Sequence, residues 1–99
     1  MGKSKEAAKS DIKQYVQKIG GAWSSWYVGI TADPEQRLFN DHNVDRKGAW
    51  IYVPCDSADV ARDVEAYFID ILGTKGGGGG GDNASKFVYA YTITSSTKE

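Results

Sequence analysis

The chain has 99 residues, a formal net charge of −1 and one cysteine, so it predicts a single domain, residues 1–99, without an internal disulfide or a cysteine-rich zinc site. No apolar run reaches the roughly 18 residues of a membrane span and no secretory signal is apparent. We therefore expect a cytoplasmic protein without a membrane partner, whose balanced charge counts against a strong nonspecific grip on nucleic acid.

The first predicted element is a helix over residues 4–19, which Gly20 and Gly21 end. Its apolar positions recur at helical spacing: Ala8, Ile12, Tyr15, Val16 and Ile19. A strand follows from Trp23 to Thr31. Asp33, Pro34 and Gln36 then form a helix start with a capping residue, and this short second helix is expected to end near His42.

The second half of the chain predicts a strand, a helix and a final strand. Residues 49–53 are rich in strand-forming side chains and Pro54 stops them; Asp56 or Ser57 can cap the next helix, which Gly73 ends. Its predicted core stripe is Val60, Val64, Tyr67, Phe68 and Ile71.

The last segment contains a glycine loop, residues 76–81, a strand from Phe87 to Thr94 and a polar tail, residues 95–99, that we predict to be frayed. The strand alternates, with four large apolar side chains on one face, and is predicted to be half-buried. The order of elements predicts an α+β fold with a small central antiparallel or mixed sheet of about three strands flanked by three helices.

Two side chains of the second helix suit phosphate chemistry. Arg37 lies in the first turn, where a guanidinium can hold a phosphate through two parallel hydrogen bonds, and His42 lies at the helix end. The alternatives are a surface ion pair between Arg37 and Asp41, and a histidine that contacts the last carbonyls of the helix.

Glu65 lies at the flank of the apolar stripe of the third helix. A single carboxylate at the edge of a core, completed by water, suits Mg²⁺. The alternative is an exposed glutamate paired with Arg62 or Arg46. The glycine loop is either a spacer or a mobile border of a cleft, ordered at its end by Asn83.

Together these residues resemble the GIY-YIG nuclease superfamily over Trp26 to Asn83. Tyr27-Val28-Gly29 looks like the second half of the motif that names the family. The order of Arg37, His42, Glu65 and Asn83 is similar to that of the family's conserved side chains. The resemblance therefore implies a GIY-YIG-like fold and a metal-dependent endonuclease.

The resemblance also implies roles for these residues. Glu65 would hold Mg²⁺ or Mn²⁺, Arg37 would stabilise the phosphate and Tyr27 would position or activate water. His42 would assist the phosphate or a proton transfer, and Asn83 would support the site. The expected substrate is DNA in preference to RNA, with Arg46 and Lys47 as a basic group for its backbone.

The first half of the family motif is missing from its usual place. Residues 20–25 are too short for a full strand plus a hairpin and contain no tyrosine. We hypothesise that the C-terminal strand fills this gap, as in a circular permutation, and that Tyr89 or Tyr91 supplies the absent phenol. The alternative is that these tyrosines only pack.

Two functions without catalysis stay open. One is an inactive domain of this fold that binds nucleic acid. The other is a protein-interaction module or homo-oligomer that uses its three tryptophans as anchors: Trp23, Trp26 and Trp50.

Overall fold

The computed structural model describes residues 2–76 and 84–98, and it confirms an α+β fold with three antiparallel strands and three helices. The elements are α1 (Lys5–Ile19), β1 (Trp26–Thr31), α2 (Gln36–Asp41), β2 (Trp50–Pro54), α3 (Ala58–Ala66, continuing as Tyr67–Leu72) and β3 (Phe87–Thr92). A single 3-10 turn, Trp23–Ser25, precedes β1, so this strand begins three residues later than predicted. No helix in the described part of the chain is long and apolar enough to cross a membrane.

The last strand in sequence lies at the centre of the sheet. The strand order is β1-β3-β2, and β3 is antiparallel to both neighbours. Tyr27 of β1 faces Tyr91 of β3, and Gly29 faces Tyr89. The C-terminal strand thus lies beside the Tyr27 strand, which is the neighbourhood that the gap-filling hypothesis requires.

Both faces of this sheet are covered. On one face, α1 and α3 pack against the strands and bury Ile12, Val16, Val28, Val64, Phe68, Val88 and Ala90. On the other face, Leu38 of α2 and Val44 cover Tyr89 and Tyr91. The prediction of a half-buried final strand is wrong for this reason: Val88 to Tyr91 are buried on both sides.

Short flanking segments pair with the two edge strands. The Lys3 amide donates to the Pro54 carbonyl at 2.8 Å beside β2, and Lys3 also forms an ion pair with Asp11. On the opposite edge, the Val28 amide donates to the Lys75 carbonyl at 2.9 Å. Such pairing satisfies backbone groups that an edge strand would leave open.

The helix starts follow their sequence signals. Ser4 accepts from the Ala7 amide, Asp33 from the Gln36 amide and Ser57 from the Val60 amide, so Ser57 rather than Asp56 caps α3. Gly73 ends the third helix with φ of 88°, a conformation that glycine adopts without strain.

The α2 helix and the last part of α3 have π-helical turns, in which an amide bonds to the carbonyl five residues earlier. The His42 amide, for example, donates to the Arg37 carbonyl at 3.0 Å. Only the last residue of the predicted apolar stripe of α3 is turned outward: Ile71 is 69% exposed where burial was predicted, whereas Val64 and Phe68 are buried as predicted. Ile19, at the last position of α1, is exposed as well.

The segment after β3 is hydrogen-bonded to the loop after α2, although we predicted a frayed tail. The Lys98 amide donates to the His42 carbonyl at 2.7 Å, and the Asn43 side-chain amide donates to the Ser96 carbonyl at 2.9 Å. Asn43 adopts a positive φ of 56°, which asparagine tolerates better than most residues. Residues 77–83, which include Asn83 and most of the glycine loop, and Glu99 lie outside the described residues.

Candidate active site

Four aromatic side chains meet on the face of the sheet that α2 covers, and we call them the tyrosine–histidine cluster: Tyr27, His42, Tyr89 and Tyr91. The Tyr27 ring centroid lies 4.8 Å from His42 and 5.3 Å from Tyr91, and 6.3 Å from Tyr89. Tyr27 is half-buried, whereas Tyr89 is only 2% exposed. The cluster therefore joins one half-buried tyrosine to two that are buried.

The strand register and one glycine produce this arrangement. Gly29 lies opposite Tyr89, and a Cβ at residue 29 would lie 2.5 Å from the Tyr89 hydroxyl oxygen. No other residue type leaves space there, so the Tyr89 ring lies across β1 where Gly29 has no side chain. The sequence indicated a close approach at Gly29, and the approaching group is Tyr89.

The hydrogen bonds of His42 define which ring nitrogen carries the proton. Nδ1 lies 2.6 Å from the Lys98 carbonyl oxygen, which can only accept, so Nδ1 donates. In the neutral ring Nε2 is then an acceptor, and the Tyr89 hydroxyl, 2.7 Å away, donates to it. The Tyr91 hydroxyl lies 3.0 Å from Nδ1 and donates to the same carbonyl at 3.4 Å. The alternative for His42, contact with the last carbonyls of its helix, does not describe this ring.

The surroundings of Tyr89 keep its phenol protonated and place two opposite charges near it. Burial raises the pKa of Tyr89 well above its ordinary value, the neighbouring Tyr27 raises it further, and the Arg37 guanidinium lowers it. Tyr91 and the Glu65 carboxylate also raise the pKa of Tyr89. Both Arg37 and Glu65 thus lie near enough to act on this hydroxyl through their charges.

Glu65 is a buried carboxyl group on α3. It is 5% exposed, and among the described residues none donates a hydrogen bond to its carboxylate. Burial raises the pKa of Glu65 to about 7, while the positive charge of Arg62 acts in the opposite direction. The alternative of an exposed glutamate in an ion pair is wrong, because Arg62 pairs with Asp59 at 3.1 Å and Glu65 faces the interior.

Arg37 forms the surface ion pair with Asp41 that was predicted as the alternative to phosphate binding. Its Nε lies 3.3 Å from Asp41, and both side chains are about half exposed. A pair of this kind contributes only about 0.3–0.5 kcal/mol, so an anion can replace the carboxylate. Arg37 and Asp41 also line an open cleft of about 370 Å³, together with Thr31, Asp33, Gln36 and Ser85.

A second and larger cleft of about 580 Å³ adjoins the start of α2. Arg46, Tyr52 and Phe87 are among its lining residues. The Arg46 guanidinium lies 4.0 Å from the centre of the Phe39 ring, and the exposed Lys47 follows it in a turn. Neither of these two clefts is lined by the tyrosine–histidine cluster itself.

The donor set available for a metal ion is small. In residues 2–76 and 84–98, no group of three or more histidine, cysteine, aspartate or glutamate side chains could hold a metal ion together. A single buried carboxylate to which no residue in the described ranges donates is nevertheless compatible with Mg²⁺, which keeps most of its waters and takes one or two carboxylates from a protein. Glu65 fits that requirement.

Sequence reasoning assigned some positions differently from the structure. Tyr91 is fully buried and packs in the core, which is the alternative that we gave for the two tyrosines of the last strand. Trp26 is 1% exposed, so it cannot anchor a partner protein. The Lys98 carbonyl was missed, because a backbone acceptor leaves no signal in sequence. No family model, no curated protein and no solved structure matches this chain.

Proposed function

We propose that this domain is a metal-dependent phosphodiesterase that acts on DNA as a GIY-YIG-type endonuclease. One observation carries the proposal: the Tyr89 ring stacks on Tyr27 with 6.3 Å between centroids, its hydroxyl is bonded to His42, and the charges of Arg37 and Glu65 act on it. A phenol, an imidazole, a guanidinium and a carboxylate in one place supply the groups that phosphodiester hydrolysis needs.

Glu65 would hold the divalent cation, Mg²⁺ or Mn²⁺. When bound there, the cation would supply Lewis-acid stabilisation of the phosphoryl and leaving oxygens. Arg37 would leave Asp41 and pair with a non-bridging phosphoryl oxygen, where its charge stabilises the transition state more than the ground state.

The tyrosines and His42 would handle the attacking water. Tyr27, the half-buried tyrosine of the cluster, orients the water. As the water oxygen bonds to phosphorus, the water proton moves to the Tyr89 oxygen, and the Tyr89 proton moves to Nε2 of His42. The bond from phosphorus to the leaving oxygen breaks, and that oxygen takes a proton from solvent. A histidine held by a third group is a recurrent arrangement for a proton acceptor.

Exchange of Tyr89 for phenylalanine tests this mechanism. We expect Tyr89→Phe to lower the rate of Mg²⁺-dependent plasmid cleavage about 100-fold, in the range of general acid–base contributions. Tyr67→Phe is the matched control, since it removes a hydroxyl that accepts from Lys13 at 3.1 Å and belongs to no part of the tyrosine–histidine cluster. Equal cleavage by both variants would reject the role of Tyr89.

The proposed path of the DNA backbone runs past Arg46 and Lys47, at the larger cleft. We expect Arg46→Ala to weaken DNA binding severalfold at low salt and to reduce the slope of log affinity against log salt concentration by about 1, because one phosphate contact is lost. Fluorescence anisotropy at several salt concentrations measures both. Lys18→Ala, on the helix that covers the opposite face, is the control and should change neither quantity.

A binding module without catalysis is the second candidate, and the burial of the cluster favours it. Tyr89 and His42 are 2% and 5% exposed, which restricts access of a phosphate to their polar atoms. That function predicts salt-sensitive retention of DNA with no cleavage at any Mg²⁺ or Mn²⁺ concentration.

A further inference from the structure

We propose that the segment after β3, residues 94–98, is a positioning element that selects the tautomer of His42 and thereby makes Nε2 the acceptor of the Tyr89 proton. The catalytic consequence rests on the proposed function, whereas the tautomer does not. Three groups contact the ring nitrogens of His42: the Lys98 carbonyl and the Tyr91 hydroxyl at Nδ1, and the Tyr89 hydroxyl at Nε2.

The directions of the hydrogen bonds determine which tautomer of His42 is present. A carbonyl oxygen cannot donate, so the 2.6 Å contact between the Lys98 carbonyl and Nδ1 requires the proton on Nδ1. A hydroxyl is indifferent, because it donates or accepts as required. The Tyr89 hydroxyl, 2.7 Å from Nε2, would therefore bond to either tautomer. The carbonyl alone fixes which nitrogen is the base.

Hydrogen bonds to His42 and Asn43 hold the Lys98 carbonyl in place. The Lys98 amide donates to the His42 carbonyl at 2.7 Å. Lys98 and His42 are therefore linked by two hydrogen bonds, one to the His42 backbone and one to its ring. Asn43 adds a bond to Ser96 at 2.9 Å. The segment is thus bonded to His42, which carries the imidazole, and to the next residue, Asn43.

The segment after β3 also contains a turn of its own, between Thr94 and Thr97. The Thr97 hydroxyl accepts from the Thr94 amide at 3.0 Å and donates to the Thr94 carbonyl at 3.0 Å, which closes a turn between β3 and Lys98. The Thr97 amide also donates to the Thr94 carbonyl at 3.3 Å, so loss of the hydroxyl removes the two shorter of the three hydrogen bonds that close the turn and changes no residue of the tyrosine–histidine cluster. Thr97 is therefore the position from which the tautomer can be changed at a distance.

The experiment uses the fact that His42 is the only histidine of the chain. Nitrogen-15 NMR of the neutral ring identifies the protonated nitrogen directly. We expect Nδ1–H in the wild type, a measurable population of Nε2–H in Thr97→Val, and a return to the wild-type spectrum in Thr97→Ser, which keeps the hydroxyl. Lys98→Ala, which keeps the carbonyl, should also match the wild type.

The same variants are assayed for cleavage. We expect Thr97→Val to lower kcat about tenfold with KM unchanged, because the base is mispositioned while substrate contacts are intact. Asn43→Gly, which keeps the positive φ and removes the amide, is the second variant if Thr97→Val does not fold. Nδ1–H throughout the folded variants, or Nε2–H in the wild type, would overturn the inference. Absence of cleavage in the wild type with the expected spectra would reject the nuclease and leave the positioning role standing.

Discussion

Replacement of Glu65 by glutamine should abolish Mg²⁺-dependent cleavage and, at pH 8, make the protein more stable. The two effects have one cause, the buried carboxylate. The proposed site has one protein ligand for the cation, and its removal should lower the cleavage rate at least about 1,000-fold, since several kcal/mol of charge stabilisation would be lost. In the absence of metal the same charge is buried without a donor from the described residues, and its loss is favourable.

The sign of the stability change follows from the pKa. In the folded protein the pKa of Glu65 is raised from 4.5 to about 7. A carboxyl group with a raised folded pKa contributes stability that is fully present below about pH 4.5 and is lost as pH rises to about 7. The difference corresponds to about 3 kcal/mol in the free energy of unfolding. Glu65→Gln should therefore match the wild type near pH 4 and exceed it by up to about 3 kcal/mol at pH 8.

Urea unfolding at pH 4 and pH 8 measures this difference, and added metal provides an independent readout. Because only the ionised carboxylate binds the cation, Mg²⁺ or Mn²⁺ should stabilise the wild type at pH 8 and leave Glu65→Gln unchanged. Asp63→Asn is the control on the same helix: that carboxylate is exposed and pairs loosely with Lys5 at 3.8 Å. A wild type whose stability does not respond to either metal would contradict Glu65 as the ligand.

The fold was largely predictable because each helix carries local signals. Asp33 and Ser57 mark the starts of the second and third helices, apolar spacing marks the first, and Gly20 and Gly73 mark ends, so the element order followed from local signals. Propensity and spacing act within a few residues, where sequence is informative. The sequence did not indicate the π-helical turns in the last part of α3, because these depend on packing; they expose Ile71.

The site was predictable only in part, because its parts are far apart in the chain. The choice between Tyr89 and Tyr91 depends on the strand register: Tyr91 faces Tyr27, yet Tyr89, two pairs further, reaches over Gly29 to His42. Sequence patterns give the faces of a strand but not its register against a partner some 60 residues away. Burial of Glu65 and the Lys98 carbonyl are likewise consequences of tertiary packing.

Exchange of Gly29 for alanine should damage stability and cleavage together, more than loss of the Tyr89 hydroxyl alone. A Cβ at residue 29 would meet the Tyr89 Oη at 2.5 Å and the ring carbon beside it at 2.6 Å. A fully buried ring between β1 and α2 has no free volume to move into, so the clash must shift the ring or the strand. Overpacking of this kind costs about 1–3 kcal/mol in the free energy of unfolding.

The displaced ring would lose its bond to His42 and its position beside Tyr27 in one step. We therefore expect Gly29→Ala to lower cleavage more than the roughly 100-fold expected for Tyr89→Phe. Circular dichroism during thermal unfolding measures stability, and plasmid cleavage below the transition measures activity. Gly48→Ala is the comparison, since a Cβ there would touch a turn carbonyl at 3.1 Å, far from the cluster. If Gly29→Ala keeps wild-type stability and cleavage, the Tyr89 ring does not cross β1 at this residue, and the phenol that completes the site must come from elsewhere.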